Sequence, residues 1–453
     1  MDRLDKIFKA YDVRGLVPEE LDPEVAEAIG YAFARFAAVQ RIVVGRDMRP
    51  SGDPLVGAFI AGANRAGVGV DDIGMCSTDM LYFASGRLDE PGATFTASHN
   101  PAQYNGIKMC LAGARPVGEQ TGLAQVKEGA RSYLARRPEA GATPPENRKV
   151  EILDAFADHV RSFVDVAALK SLKVVADTAN GMGGLVVPAI FEKLPFELTM
   201  LYPELDGNFP NHPADPIQPE NLVDLKARVL ADGADVGLAF DGDADRVFLV
   251  DDKAAPLSGS LTTALVAKAM LGANPGATVL YNLICSKAVP EVIAENGGRP
   301  VMTRVGHSFI KEVMAQEGAV FGGEHSGHYY FRDNYRADSG IIAALIVLEQ
   351  ISKSGLPLSE LRKPFERYSD SGEVNTRVTD AKAVIAFIRN AYDGRAEVNE
   401  MDGLTLDFGD WWFNVRPSNT EPLLRLNLEA RTPEEVASRL SEVLAVIAKA
   451  DSF

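Results

Sequence analysis

Apolar and polar positions along the chain switch repeatedly between the helical period and the short runs of buried strands. Asp22-Pro23-Glu24 places a capping aspartate and an early proline before apolar residues at helical spacing, which predicts a helix through Val39. Residues 41–45, with Ile42-Val43-Val44 at their centre, read as a short buried strand, and 51–66 return to the helical period. Strands follow at 69–75 and 94–97. This alternation predicts an α/β unit with a largely parallel, mixed sheet, ending at the Gly/Ala/Pro-rich stretch 141–145.

The plan then recurs. A helix at 151–164, a strand at 173–177, a helix running to Lys193, a Pro/Asn-rich loop at 207–219, a helix at 220–230 and a strand at 234–240 form a second unit. The glycine cluster Asn180-Gly181-Met182-Gly183-Gly184 lacks both the dinucleotide-fold spacing and the Walker lysine, so it reads as tight strand-to-helix packing. A third unit carries helices at 261–271, 287–295 and 308–316 and strands at 278–283 and 300–304. After Ser354-Gly355-Leu356-Pro357 the pattern changes to a strand at 372–378, a helix at 381–392, strands carrying Trp411 and Trp412, and an amphipathic helix at 433–450, which predicts a smaller α+β domain.

Length changes this picture little: 453 residues call for three or four domains. Hydrophobic content of 46% with 24% charged residues describes a globular chain. The start, Met1-Asp2-Arg3-Leu4-Asp5-Lys6, lacks an apolar leader, and the most apolar stretch, 341–348, is too short to span a bilayer. Three widely spaced cysteines, Cys76, Cys110 and Cys285, read as reduced thiols of a cytoplasmic protein. A net charge of −17 argues against nucleic acid or an anionic membrane as partner. A phosphate-ester substrate would therefore need arginines and lysines gathered locally.

Four polar stretches carry chemistry. In Thr96-Ala97-Ser98-His99-Asn100-Pro101 a serine and a histidine share a strand-to-loop corner, and Asn105-Gly106 predicts a tight turn that brings Lys108 back toward them. Such a serine can carry a phosphoryl group, or the stretch can be a plain turn satisfying its own backbone. Asp241, Asp243 and Asp245 close a strand, where alternate residues point the same way and three anions repel unless a cation joins them; hard oxygens suit Mg²⁺. An EF-hand is excluded because its sixth position is Arg246 and no helix precedes it. Gly323-Glu324-His325-Ser326-Gly327-His328 can read vicinal hydroxyls, or be a polar hairpin turn. Arg416-Pro417-Ser418-Asn419-Thr420-Glu421 can wrap a phosphate dianion, or be a proline-punctuated turn.

Together with Tyr11-Asp12-Val13-Arg14-Gly15, and in this order, these stretches resemble the α-D-phosphohexomutases, specifically the bacterial phosphomannomutase/phosphoglucomutase branch, nearly end to end. The resemblance implies three similar α/β modules with mixed sheets and a smaller C-terminal α+β domain around a central cleft. The expected units are 1–145 with the phosphoserine loop, 146–254 with the metal loop, 255–367 with the sugar loop and 368–453 with the phosphate loop. It implies reversible interconversion of hexose 6-phosphate and hexose 1-phosphate, of mannose or glucose, through a phosphoserine enzyme and a hexose 1,6-bisphosphate that also serves as activator.

Residue by residue, the resemblance makes Ser98 the phosphoryl carrier, with His99 beside it, and Mg²⁺ the ion held by Asp241, Asp243, Asp245 and a phosphoserine oxygen. Arg246 would stabilise charge, and Lys108, Arg14 and His328 would handle protons. Tyr11, Arg304, His307, Glu324, Ser326 and His328 would contact the sugar and its phosphate. Arg416, Ser418, Asn419 and Thr420 would clamp the phosphate not in transfer. Relatives carry a basic residue where Leu283-Ile284 precede Cys285, so Lys287 is displaced, and His325 falls at a position that varies with substrate. A phosphoglucosamine mutase is the alternative within the superfamily, although its members start with a Gly-Thr-Asp-Gly type motif where this chain has Lys9-Ala10-Tyr11-Asp12. A non-catalytic sugar-phosphate-binding protein on the same fold is the other; retention of Ser98, the three aspartates and Lys108 argues against it. A monomer or homodimer is expected.

Overall fold

The computed structural model of the chain describes residues 2–417 and 423–451, with the side chain of residue 307 outside that description. The first sheet has seven strands: β1 (Val13–Leu16), β2 (Arg41–Arg46), β3 (Gly69–Met75), β4 (Gly92–Phe95), β5 (Tyr104–Leu111), β6 (Arg115–Pro116) and β7 (Arg148–Lys149). Its centre runs β3-β2-β4-β5, the first three parallel and β5 antiparallel. β7 pairs with β3 at Asp71 and Asp72, so the first sheet takes in residues beyond 145.

The second sheet contains β8 (Lys173–Asp177), β9 (Glu197–Leu201), β10 (Val236–Phe240) and β11 (Val247–Asp251), ordered β9-β8-β10-β11. The third contains β12 (Thr278–Asn282), β13 (Arg299–Thr303), β14 (Phe321–Gly323) and β15 (Tyr329–Phe331), ordered β13-β12-β14-β15. Leaving aside β1, β6 and β7 of the first sheet, all three share one plan: the first strand (β2, β8, β12) is central, flanked by its two parallel successors, and an antiparallel fourth strand (β5, β11, β15) follows the third. The loop between the third and fourth strands therefore leaves the carboxyl edge of each sheet, where open α/β sheets place ligands. Those loops are 96–103, 241–246 and 324–328, the three stretches singled out from the sequence.

The fourth sheet is wholly antiparallel: β16 (Ser369–Arg377), β17 (Glu397–Asn399), β18 (Leu404–Asp407), β19 (Trp412–Pro417) and β20 (Leu423–Ala430), ordered β16-β20-β19-β18-β17. Helices Ala381–Ala391 and Pro433–Asp451 cover it, giving the expected α+β domain. Its apolar core is its own, whereas one continuous core joins the second and third modules to one face of the first sheet.

One sequence expectation changes, and one helix went unread. Asn105-Gly106 is not a turn: it lies within β5, opposite Gly15 and Arg14 of β1. Ladder hydrogen bonds on both sides of β5 outweigh the local turn preference, and Gly106 is needed because a Cβ there would collide with the Val13 and Thr96 carbonyl oxygens. Helix Thr78–Leu88 was not legible because its first eight residues are all buried, leaving no polar face to mark a period. The glycine cluster behaves as read. A Cβ on Gly181 would sit 2.7 Å from the Gly242 carbonyl oxygen, and one on Gly184 would meet that of Pro203. Residues 341–348 lie inside the buried helix Gly340–Ser354, and among the described residues no single helix is long and apolar enough to cross a membrane.

Candidate active site

Ser98 sits three residues past β4 with a left-handed φ of +49°, a conformation a non-glycine residue holds only where its surroundings impose it. What imposes it is Arg49, a residue the sequence reading missed. Its guanidinium is fully buried, with Nε on Asp47 at 3.1 Å. Its Nη atoms donate to four carbonyls, three in the loop and one at the start of β5: Ser98 at 2.9 Å, Asn100 at 2.6 Å, Pro101 at 2.8 Å and Tyr104 at 2.9 Å. Arg14 adds a bond to the Asn100 side chain at 2.6 Å and pairs with Asp12 at 2.7 Å. The available signal was an Asp-x-Arg run, Asp47-Met48-Arg49, at the carboxyl end of a buried strand.

The Ser98 hydroxyl donates to Asp241 Oδ2 at 2.7 Å, across the boundary between the first two modules. Arg246 Nε donates to the same oxygen at 2.9 Å, and its Nη2 lies 3.3 Å from Ser98 Oγ and 2.5 Å from His99 Nδ1. Lys108 does not reach the serine: its Nζ bonds Asp243 at 2.7 Å and Asp245 at 2.6 Å. Thr78 Oγ1 adds a bond to Asp243 at 2.6 Å. Ser98, Lys108, Arg246 and the three aspartates are all buried.

Burial opposes the Lys108 charge, but Asp243 and Asp245 outweigh it and hold its pKa well above the ordinary value. Asp243 is held below the carboxylate range because Lys108 and Thr78 overcome its burial. Burial, reinforced by the neighbouring carboxylates, pushes Asp241 up. Burial and the Arg246 and Arg14 charges keep His99 neutral, in keeping with Nδ1 accepting from Arg246.

The carboxylates also fit a metal. Oxygens of Asp241, Asp243 and Asp245 lie within 4.8 Å of one another, and Asp243 Oδ1 and Asp245 Oδ1 are buried with no hydrogen-bond donor. Three carboxylates facing two protein cations leave negative charge in excess, and an all-oxygen donor set suits a hard divalent ion.

In the third module Glu324 is fixed on both oxygens. Oε1 accepts from Asn282 Nδ2 and the Gly306 N–H, each at 3.1 Å, and Oε2 accepts from the Tyr330 hydroxyl at 2.9 Å. His328 lies between modules, 3.7 Å from Asp245, 3.5 Å from Glu324 and 3.0 Å from the Ser326 hydroxyl. Tyr11 packs edge-on against Phe309, and the exposed Arg304 lies over the same ring at 4.6 Å. His325 Nδ1 pairs with Ser260 Oγ at 2.9 Å. Lys287 ties the third module to the fourth domain, with Nζ on Asp407 at 2.6 Å and on the Gly409 carbonyl at 2.8 Å, and its backbone N–H on Glu429 at 2.9 Å.

Asp402 of the fourth domain, also missed from sequence, accepts from the Val305 N–H at 3.3 Å, and its carbonyl accepts from Asn414 at 3.0 Å, beside Arg416. Neighbouring groups therefore lead from Ser98 through the aspartates Asp241–Asp245, His328, Glu324 and the Val305-Gly306 backbone to Asp402, Asn414 and Arg416. Ser418, Asn419 and Thr420 lie outside the described residues, as does the His307 side chain.

Family models agree with this layout. Those described as phosphoglucomutase/phosphomannomutase α/β/α domains I, II and III match residues 5–133, 154–254 and 258–368, and the C-terminal domain model matches 373–446. The chain is 41% identical over 427 residues to a Xanthomonas campestris protein named phosphohexose mutases, covering 94% of this chain and 95% of that one. It is 40% identical over 439 residues to an Escherichia coli phosphomannomutase, covering 94% of each. A crystal structure of a phosphoglucomutase/phosphomannomutase family protein from Burkholderia thailandensis superposes with a TM-score of 0.88 at 33% identity, over 99% of this chain and 98% of that one.

Proposed function

Because the chain belongs to the phosphoglucomutase/phosphomannomutase family and is an isomerase-type phosphotransferase acting on hexose phosphates, we propose that it interconverts the 6- and 1-phosphates of mannose or glucose through a phosphorylated Ser98. The observation that carries this reading is the Ser98 hydroxyl, strained, buried and 2.7 Å from Asp241, with Arg246 at 3.3 Å.

Phospho-Ser98 gives its phosphoryl group to the free C1 or C6 hydroxyl of a hexose monophosphate: the P–O bond to serine breaks as the P–O bond to the sugar forms. The resulting hexose 1,6-bisphosphate turns round, and its other phosphate returns to Ser98. Mg²⁺ held by Asp241, Asp243, Asp245 and a phosphoserine oxygen would supply charge neutralisation at the transferring group. Arg246 is placed to stabilise the same charge. Lys108, fixed as an ammonium by two carboxylates, suits holding those carboxylates more than exchanging protons. His328, facing Asp245 and Glu324, is the better placed group for the sugar hydroxyl proton. Glu324 and Ser326 read sugar hydroxyls, Tyr11, Arg304 and His307 line the sugar and its phosphate, and the Arg416 loop holds the phosphate not in transfer. Three buried, unbridged cysteines suit a cytoplasmic enzyme.

The test joins a coupled mutase assay on mannose 1-phosphate, glucose 1-phosphate and glucosamine 1-phosphate with intact-mass mapping of Ser98. Phosphate on Ser98 that is lost to substrate, and preference for mannose or glucose, are expected. Full activity in Ser98→Ala would sink the covalent route, and preference for glucosamine 1-phosphate would move the enzyme to the related mutase.

A further inference from the structure

Glu373, Asn427 and Asn414 are register partners across β16, β20 and β19, so their side chains leave the sheet on one face. Arg416, two residues along β19 from Asn414, shares that face. It is 7% exposed and its guanidinium is already engaged: Nη1 donates to Asn427 at 2.8 Å and Asn414 at 3.2 Å, and Nη2 donates to Glu373 Oε2 at 2.6 Å. Arg425 approaches the other Glu373 oxygen at 3.5 Å. A bulge delivers the glutamate: the β16–β20 register slips between Asp370 and Glu373, and Gly372 between them has φ +63°.

This is an unusual state for a residue assigned to grip a phosphate. A buried guanidinium without a counter-ion is costly. Burial draws the Arg416 pKa below its ordinary value, with Glu373 the strongest group opposing it. Each turnover, on the mutase reading above, requires the clamp to hold one phosphate, let go, and take the other. The guanidinium needs an anion in the interval.

We propose that Glu373 is the exchange partner of Arg416: it occupies the guanidinium between phosphate-bound states, competes with the non-transferring phosphate, and thereby sets how readily the bisphosphate is let go to turn round. The proposal rests on the mutase reading for its role in turnover, but the competition itself concerns only Glu373, Arg416 and a phosphate dianion. Glu373 is a positioning residue, since it touches Arg416 and not the reacting atoms.

Glu373→Gln keeps an acceptor oxygen and removes the charge, which separates competition from mere orientation of Arg416. Expected are a KM for hexose monophosphate lower by about fivefold, a kcat lower by about as much because the intermediate is released more slowly, and less bisphosphate escaping per product. Inorganic phosphate, titrated by calorimetry, should bind Glu373→Gln more tightly than wild type, and the gain should vanish in a Glu373→Gln/Arg416→Ala double variant. Glu373→Asp, retaining charge, should move KM back toward wild type. An unchanged or raised KM together with unchanged phosphate affinity in Glu373→Gln overturns the proposal. A wild type without turnover on any hexose phosphate overturns the mutase reading instead, and the phosphate titration then decides the Glu373 competition by itself.

Discussion

Gly242 and Ser98 meet backbone to backbone: a Cβ on Gly242 would lie 2.5 Å from the Ser98 carbonyl oxygen. The acidic loop 241–246 and the Ser98 loop 96–103 are thus in contact because one residue has no side chain, and Asp241 next to it reaches the Ser98 hydroxyl as a result. Gly242→Ala should push the loops apart, lowering kcat about 100-fold while destabilising the fold by about 1–3 kcal/mol. Steady-state kinetics and urea unfolding on the same preparation check both; a wild-type kcat would show that this approach does not place Ser98.

Arg49 is expected to be the residue on which the shape of the Ser98 loop depends. Arg49→Lys retains the charge but cannot reach four carbonyls spread from Ser98 to Tyr104. It should lose about 3 kcal/mol of stability and most of the Ser98 phosphorylation by added hexose 1,6-bisphosphate. A thermal midpoint equal to wild type would contradict this.

Metal removal should separate chemistry from folding. The acidic loop stands on the continuous core of the second and third modules and on its bonds to Lys108, Thr78 and Arg246. Chelation should therefore abolish turnover and leave the thermal midpoint nearly unchanged, and Asp243→Asn should lower kcat about 1000-fold on the same stable fold. Collapse of the fold on chelation would refute the assignment.

A pH-dependent element lies away from the active site. His212 Nε2 faces Asp177 Oδ2 at 3.0 Å, its Nδ1 faces the Pro213 carbonyl at 2.9 Å, the Tyr202 ring meets it edge-on, and Asp224 is the next carboxylate. Burial opposes the imidazolium, but the bond to Asp177 prevails and raises its pKa. A raised folded-state pKa means that the stabilisation is complete below the unfolded value of about 6.5 and is lost as pH rises through the folded one. Wild-type stability should therefore fall as pH rises above the ordinary imidazole value of about 6.5, and His212→Gln should flatten that slope. An equal slope in both proteins would remove the pair as its cause.

Much of this molecule is written locally. The three α/β modules and the α+β tail follow from apolar periods, and Ser98, Asp241, Asp243, Asp245, Glu324 and Arg416 stand in short polar runs at the ends of predicted strands. Adjacency along the chain was enough there, because a strand end and the next few residues point in directions the backbone alone dictates. Asn105-Gly106 shows where local preference fails: pairing on both sides of β5 overrode it. Partners were beyond the sequence altogether. Lys108 meets Asp243 from 135 residues away, Arg49 meets Ser98 from 49, and Glu373 meets Arg416 from 43. Lys108, Arg49 and Arg416 are buried charges whose counter-charge or carbonyl is supplied by a different loop or strand, and burial makes that pairing obligatory without saying which residue provides it. The sequence determined which groups the chemistry has; the packing of sheets decided which of them are joined, because only there does the removal of water force each charge to find its neighbour.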